Sequence, residues 1–346
     1  FLFAAVTSFS LKKSVEIWIL YAVFMGFYFV VSNTLKTKKQ FFDLITVMVL
    51  SCLAVCLYGI MQYAFGWNTT QAWMDEEMFE DIKMRIYSTL ENPNVLGEYI
   101  LLMLPLSVGL MWTKKNAVSK IFYAAVSGCM LLALILTFSR GCWIGLIFAA
   151  AIFVTLVSGK LWGLLLIVLP FVPMLLPESI INRFLSVGDM KDSSTSYRVY
   201  IWLGTMLMLK DYWISGIGLG SEAFTRIYPF YSYSSIVAPH AHNMFLQILV
   251  ESGIVGISAF LIMLFAFFKR LSVIHAMAGR KSPVSTMIVA FAAAVSGFLL
   301  QGMFDNCFYN YRVFMIFWLT LSVGLCSFGA QQEYLKEIAD KKEGEK

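Results

Sequence analysis

Pro239-His-Ala-His-Asn243 runs directly into MFLQILVESGIVGISAFLIMLFAFF at 244–268, twenty-five residues whose one charged side chain is Glu251. A run of this length crosses the roughly 30 Å of a bilayer's hydrocarbon as a helix. The histidines at its head then stand at a membrane boundary. A titratable pair is costly to keep there and points to a reaction site rather than to filler.

The rest of the chain repeats the pattern. Of 346 residues, 59% are hydrophobic and 14% charged, with a mean hydropathy of +0.75, which excludes an ordinary water-soluble domain. Runs of spanning length are read at 14–35, 41–64, 94–113, 120–139, 141–158, 161–177, 244–268, 284–304 and 312–329, nine complete spans. Phe1 to Phe9 is apolar but too short to span and lacks the charged start of a signal peptide. It reads as the end of a tenth helix that begins upstream. The expected fold is an all-α polytopic membrane protein of about ten transmembrane helices, the first truncated, with a large, partly helical extracytoplasmic loop. Its divisions are N-terminal transmembrane helices over 1–177 with an outer loop at 65–93, the large loop over 178–243, C-terminal transmembrane helices over 244–330 and a charged cytoplasmic tail over 331–346.

Cations are retained by cytoplasmic loops. Lys36, Lys38, Lys39, Lys114, Lys115, Lys120, Lys160, Lys269, Arg270, Arg280 and Lys281 all fall on one side of this topology, with the charged tail, whereas Lys12 and Lys13 land on the other face and count against it. The two long connections then lie outside, where function concentrates in loops. The net charge of +5 follows topology, with no basic stripe interleaved with aromatics, so nucleic acid is not an expected partner. The six cysteines lie in or beside spans without metal-knuckle spacing and read as small apolar fillers.

In the first outer connection, Asp75-Glu76-Glu77 with Glu80 and Asp81 lacks the spacing of an ion loop and reads as a solvated face. Arg85 follows, then Asn92-Pro93-Asn94, a helix-entry signal in which Asn94 is placed to cap the next span. Ser139-Arg140-Gly141 separates two spans with almost no loop. A guanidinium held there requires an anion, whether lipid phosphate, ligand or buried acid. The second connection carries helical periodicity from Ser196 to about Tyr212, along the membrane surface. Arg198 and Trp202 share a face of that helix. GIGLG at 216–220 follows no strand and reads as a flexible turn.

His242 carries the one side-chain type suited to accept a hydroxyl proton near neutral pH. Asn243 is placed to cap the following helix, whose N-terminus favours an anion beside the histidine. His240 with His242 is also a candidate metal pair, but His275 lies on the other side and carboxylates would have to complete it. The expectation is no metal and no cofactor.

These residues resemble the O-antigen ligase and polymerase superfamily. His242-Asn243 is followed by nine residues and then Gly253-Ile-Val-Gly256, the spacing found in that family. Arg198 with Trp202 is similar to the arginine opening its large outer loop, and Ser139-Arg140-Gly141 to its arginine at an outer helix end. Arg85 with Asn92-Pro93-Asn94 looks like its earlier outer segment. The resemblance covers about 85–329. It implies a glycosyltransferase taking a glycan from undecaprenyl pyrophosphate at the outer membrane face to an acceptor hydroxyl on another glycan, a lipid or a protein, without metal and with inversion. On the matched positions, His242 becomes the general base and Arg140 and Arg198 the pyrophosphate ligands, with Arg85, His240 and Asn243 as secondary candidates. A transporter or flippase of lipid-linked glycan is the alternative. It calls for ionisable groups near the bilayer midplane, whereas Glu98, Arg140, Glu251 and Asp305 lie toward outer helix ends. A noncatalytic scaffold or sensor leaves the arginine and histidine motifs unexplained.

Overall fold

A computed structural model describes residues 1–67, 84–171, 174, 176–279 and 282–344. The acidic run at 75–81, Arg280 and Lys281 lie outside the described residues. No strand occurs among those described. The helices are α1 (Leu2–Val6), α2 (Leu11–Thr34), α3 (Lys38–Phe65), α4 (Pro93–Thr113), α5 (Ala117–Leu136), α6 (Arg140–Val157), α7 (Leu161–Val168), α8 (Glu178–Leu185), α9 (Ser193–Tyr212), α10 (Ser221–Ile227), α11 (Met244–Ala278), α12 (Pro283–Gln301) and α13 (Tyr311–Gly344). Eight of them, α2 to α6 and α11 to α13, are long and apolar enough to cross a membrane. The chain is an all-α polytopic membrane protein.

One of the nine expected spans, 161–177, differs. Its helix stops at Val168 and passes into a 3-10 turn at Leu169–Phe171. Pro170 lacks the N–H that would continue the α ladder. Residues 2–6 form a five-residue helix that ends at Thr7. The charged tail is not a loose end, because α13 runs on to Gly344 and its Glu333 and Glu337 accept hydrogen bonds from the Lys38 backbone and side chain.

Helix starts follow local chemistry. Asn243 caps α11 by accepting from the N–H groups of Phe245 and Leu246, both at 3.0 Å. Asn92, rather than Asn94, caps α4, accepting from Asn94 N–H at 2.8 Å. Pro93 takes the first helical position, where its fixed φ and missing N–H cost nothing, and this moves the cap two residues upstream and frees the Asn94 side chain. The α9 helix begins three residues earlier than its periodicity suggests, because Asp192 accepts from Thr195 N–H at 2.9 Å.

The centre of the bundle is α4 beside α12, the two most buried spans. The α6 helix joins them at a crossing so close that a Cβ on Gly145 would lie 2.6 Å from the Gly297 carbonyl oxygen. Small residues permit that approach. Consequently the N-termini of α4 and α6 and the C-terminus of α12 meet at one end of the bundle, called the site end below.

GIGLG is not a flexible turn. The α11 helix breaks at Gly253, with φ 65° and ψ −171°. The carbonyls of Val250 and Glu251, released by the break, accept from Ile217 and Gly218 N–H at 2.9 and 3.1 Å. Ile254 N–H in turn donates to Trp213 O at 2.8 Å, and Ser14 Oγ donates to Leu219 O at 2.7 Å. Two carbonyls and one N–H at the break thereby find partners inside the protein, as a membrane helix requires. A Cβ at Gly253 would sit 2.0 Å from Ile214 O, against rigid backbone, in a conformation L side chains disfavour by about 1–2 kcal/mol. Gly253→Ala is therefore expected to lower the thermal unfolding midpoint by several degrees, whereas Gly128→Ala, with open space around its Cβ, leaves it unchanged. Equal midpoints would show that the break is dispensable.

Candidate functional site

The site end holds a cavity of about 600 Å³. Arg85, Asn94, Arg140, Arg198, His240 and His242 all line it, together with Arg183, Tyr197, Asp305 and Tyr309. The resemblance had drawn its candidates from segments as much as 157 residues apart, Arg85 to His242. The close packing of α4, α6 and α12 brings them to one place.

His242 is the most constrained of these residues. Its φ is +44°, a left-handed conformation uncommon for a residue with a side chain. Trp202 Nε1 donates to its carbonyl at 3.1 Å, and its own N–H donates to His240 Nδ1 at 3.2 Å. With its backbone held at both ends, the ring places Nδ1 2.9 Å from Asp305 Oδ1. Trp202 thus fixes the histidine backbone. Asn243 stands beside the cavity, and its Nδ2 donates to Met303 O at 2.9 Å, tying the α11 start to the α12 end.

Asp305 is the hub. Besides His242, it accepts from Asn94 Nδ2 and Asn306 N–H, each at 2.9 Å, and Arg198 Nη2 lies 3.7 Å from its other oxygen. Burial alone would raise its carboxyl, but the charge and hydrogen bond of His242, then Arg198 and His240, hold it well below the usual carboxylate range. His240 is pushed down to about 3, first by burial and then by the charge of His242. It is a neutral ring, 4.5 Å between centroids from Tyr309, and its Nδ1 is already occupied by the His242 amide.

The arginines divide into two pairs. Arg140 makes a two-pronged ion pair with Asp192, at 2.7 and 3.0 Å, and also donates to Ser186 O and Oγ. Arg183 reaches the same carboxylate at 3.0 Å. The anion that Arg140 requires is thus a buried acid from the long loop. Arg85 donates to Thr137 O at 2.8 Å and to Asn94 Oδ1 at 2.9 Å, and Arg198 donates to Ser194 Oγ at 3.1 Å. Arg85 is pushed down to about 9 by burial and by the charges of Arg183, Arg198 and Arg140. Among the described residues, four guanidinium groups stand with two carboxylates, Asp192 and Asp305, about this wall, leaving Glu98 and His242 aside, so cationic side chains predominate there.

The sequence reading assigned no site role to Asp305, Asp192, Arg183 or the Asn94 side chain. Asp305 sits in a nine-residue connection, 302–310, without a motif, and its partner His242 is 63 positions away. The one available signal was an acid at a helix end in an apolar chain, which is costly unless paired. The ligating atoms of His240, His242 and Asp305 lie within 4.8 Å of one another, which brings two nitrogens and a carboxylate to a common point. The guanidinium of Arg198 beside that carboxylate and the surrounding positive wall suit an anion better than a cation.

Residues 125–261 match the family model described as O-antigen ligase. This segment is similar to the O-antigen ligase and polymerase superfamily. No curated protein matches the chain. The matched segment runs from α5 to beyond the Gly253 break, so it contains Arg140, Asp192, Arg198, His240, His242 and both glycines of the motif. Arg85, Asn94 and Asp305 come from outside it, and the fold adds them to the same cavity. The family is one of membrane glycosyltransferases acting on lipid-linked glycans.

Proposed function

We propose that this protein transfers a glycan from a polyprenyl diphosphate, undecaprenyl pyrophosphate, to an acceptor hydroxyl, with inversion at the anomeric carbon and without a metal. The observation that supports this reading best is the pairing of an oriented histidine with an anion-seeking wall in one cavity. A diphosphate joined to carbon at both ends carries two negative charges, which suits a wall on which guanidinium groups outnumber carboxylates among the described residues. Arg198 and Arg85 bind the diphosphate, with Arg140 and Arg183 adding field from their fixed positions. As the glycosidic C–O bond breaks, the electron pair departs with the diphosphate, whose growing charge these guanidinium groups stabilise. The acceptor oxygen forms the new bond from the opposite face. Its proton passes to His242 Nε2, while Nδ1–H donates to Asp305, an arrangement that selects the reactive tautomer. Because the arginines supply the positive charge, no divalent ion is needed. The site end faces the extracytoplasmic side, since Lys36, Lys38, Lys39, Lys114, Lys115, Lys160, Lys269 and Arg270 all lie at or beside the opposite end. Another glycan, a lipid or a protein can supply the hydroxyl, which leaves both ligase and polymerase activity compatible with the site.

The test is transfer by purified protein from an undecaprenyl-pyrophosphate oligosaccharide to candidate acceptors, with and without EDTA. Transfer is expected to persist in EDTA, and Arg198→Ala to weaken donor use by about 10- to 100-fold, the loss of a hydrogen bond between charged groups. Abolition by EDTA and recovery with Zn²⁺ would instead assign His240, His242 and Asp305 to a metal. Movement of labelled donor across vesicles with no glycosidic product would make the protein a flippase.

A further inference from the structure

Glu251 is the one charged side chain between Met244 and Phe268, and the transfer chemistry does not use it. It is buried and, like Gln247 one turn earlier on α11, it does not line the arginine cavity. An acid inside a membrane span is kept at a cost and marks a functional contact. That contact runs toward the histidines. One carboxyl oxygen, Oε1, accepts from Gln247 Nε2 at 2.8 Å and from Gly220 N–H at 2.9 Å. Gln247 Oε1 in turn accepts from Ala241 N–H at 2.7 Å. An amide has a donor side and an acceptor side. Because Glu251 takes the donor side, the Gln247 oxygen is turned to the segment His240-Ala241-His242. Ala241 is buried, so its N–H depends on that oxygen.

The far end of this line of bonds is fixed as well. Gly218 N–H donates to the Glu251 carbonyl, and Ser14 Oγ donates to Leu219 O. The α2 helix closes on the turn so tightly that a Cβ on Gly220 would lie 2.0 Å from Ile17 Cδ1. The turn, Glu251, Gln247 and Ala241 therefore connect α2 to the histidine backbone. That backbone needs support from outside, since a left-handed residue such as His242 persists only where its surroundings over-determine it. The bond from His242 N–H to His240 Nδ1 lies within the segment and moves with it, and Trp202 reaches the His242 carbonyl from the long loop at 3.1 Å. Gln247 ties the segment to a membrane helix, at the shortest of these three distances.

We infer that Gln247 and Glu251 are positioning residues, a relay that sets the His242 ring against Asp305 by holding Ala241; what the ring then does rests on the transferase reading. Neither residue touches substrate. Both act through the backbone of the segment, and the relay requires an accepting oxygen at position 251 rather than a charge.

Three variants separate this role from plain support of the helix break. Gln247→Leu and Glu251→Leu remove the relay, whereas Glu251→Gln keeps an oxygen that accepts both N–H groups. The protein has three histidines, so ¹⁵N-histidine labelling resolves their tautomers, and His242→Ala identifies the signal of His242. At about pH 8 an ordinary imidazole is neutral. Wild type and Glu251→Gln are expected to carry the His242 proton on Nδ1, facing Asp305, and the leucine variants to move it to Nε2 in part or in full, as the partner that selects the tautomer is lost. In transfer assays the leucine variants are expected to lose about 10- to 100-fold in kcat, as for a misplacement of about 1 Å. Donor KM stays within about twofold of wild type, and Glu251→Gln matches wild type in both constants. Should the leucine variants fail to fold, Gln247→Asn, an amide too short to reach both partners, takes their place in both measurements. An Nδ1 proton retained in folded relay variants would overturn the inference even if their thermal midpoints fell, because Glu251 would then only support the α11 break. So would a loss in Glu251→Gln as large as in Glu251→Leu, which would make the charge the requirement, or a wild-type His242 without an Nδ1 proton. Failure of the wild-type protein to transfer counts against the transferase reading alone, because the tautomer is read without turnover.

Discussion

His242→Ala is expected to reduce kcat for glycan transfer by about 10²–10⁴-fold, the usual contribution of a positioned general base, while donor KM changes little. The separation follows from the geometry. His242 touches Asp305 and not the arginines that bind the diphosphate, so its loss removes an interaction made only as the acceptor proton leaves. Asp305→Asn provides the partner experiment. An amide at 305 that donates its N–H to Nδ1 forces the imidazole proton onto Nε2 and blocks the lone pair that accepts the hydroxyl proton. An amide that accepts from Nδ1 preserves the tautomer but loses the charge that stabilises the imidazolium. In either case kcat falls, by roughly 10²-fold or more. Because Asp305 also receives Asn94 and approaches Arg198, a thermal unfolding midpoint accompanies the kinetics, so a loss of fold is not read as a loss of chemistry. Full turnover by His242→Ala in folded protein would remove the histidine from the reaction.

The sequence carried the bundle and left the connections obscure, for a physical reason. A membrane span declares itself through a run of like side chains, and a cap through one residue and its neighbours, so the eight spanning helices and the role of Asn243 were both legible. Proline punctuation was legible in kind but not in consequence. Pro93 shifted a cap by two residues, and Pro170 stands where a run counted as a full span leaves the α-helix. GIGLG was misread because its meaning lies in Gly253, more than thirty residues later. Glycine freedom looks like flexibility until the partner carbonyls are known. Asp305 and Asp192 show the same limit more sharply. Each is an acid in a short connection without a motif, and only the crossing of α6 over α12 and the return of the long loop reveal what each one holds. Arg140 illustrates how far local reading goes. Its position demanded an anion, and three kinds of anion satisfied that demand equally until the fold supplied Asp192.

Asp192 should also be the most costly surface-loop residue to alter. Its carboxylate is 1% exposed and receives Arg140 and Arg183, themselves each 8% exposed. Removing one partner from a buried ion pair leaves uncompensated charge, at about 3–5 kcal/mol. Asp192→Asn keeps a side-chain oxygen to cap α9 and isolates the charge, whereas Asp192→Ala also forfeits the cap, about 1 kcal/mol more. Both variants are expected to unfold at lower temperature in detergent, the alanine lower than the asparagine, with α8 and α9 becoming sensitive to protease before the membrane helices. Acid should mimic the substitution. Burial pushes the Asp192 carboxyl up, but the hydrogen bond and charge of Arg140, then the charge of Arg183, outweigh it, so its folded value lies below the ordinary 3.8. A carboxyl lowered in the folded state contributes stability that is fully present above the unfolded value and disappears as pH falls through the folded one. Protease sensitivity of the 178–212 segment should therefore rise only below about pH 4, where protonation begins to draw on the pair, and Asp192→Asn should abolish that pH dependence. An asparagine variant as stable as wild type would mean that lipid phosphate or water screens the two arginines, and that the long loop is held to the bundle by its apolar contacts instead.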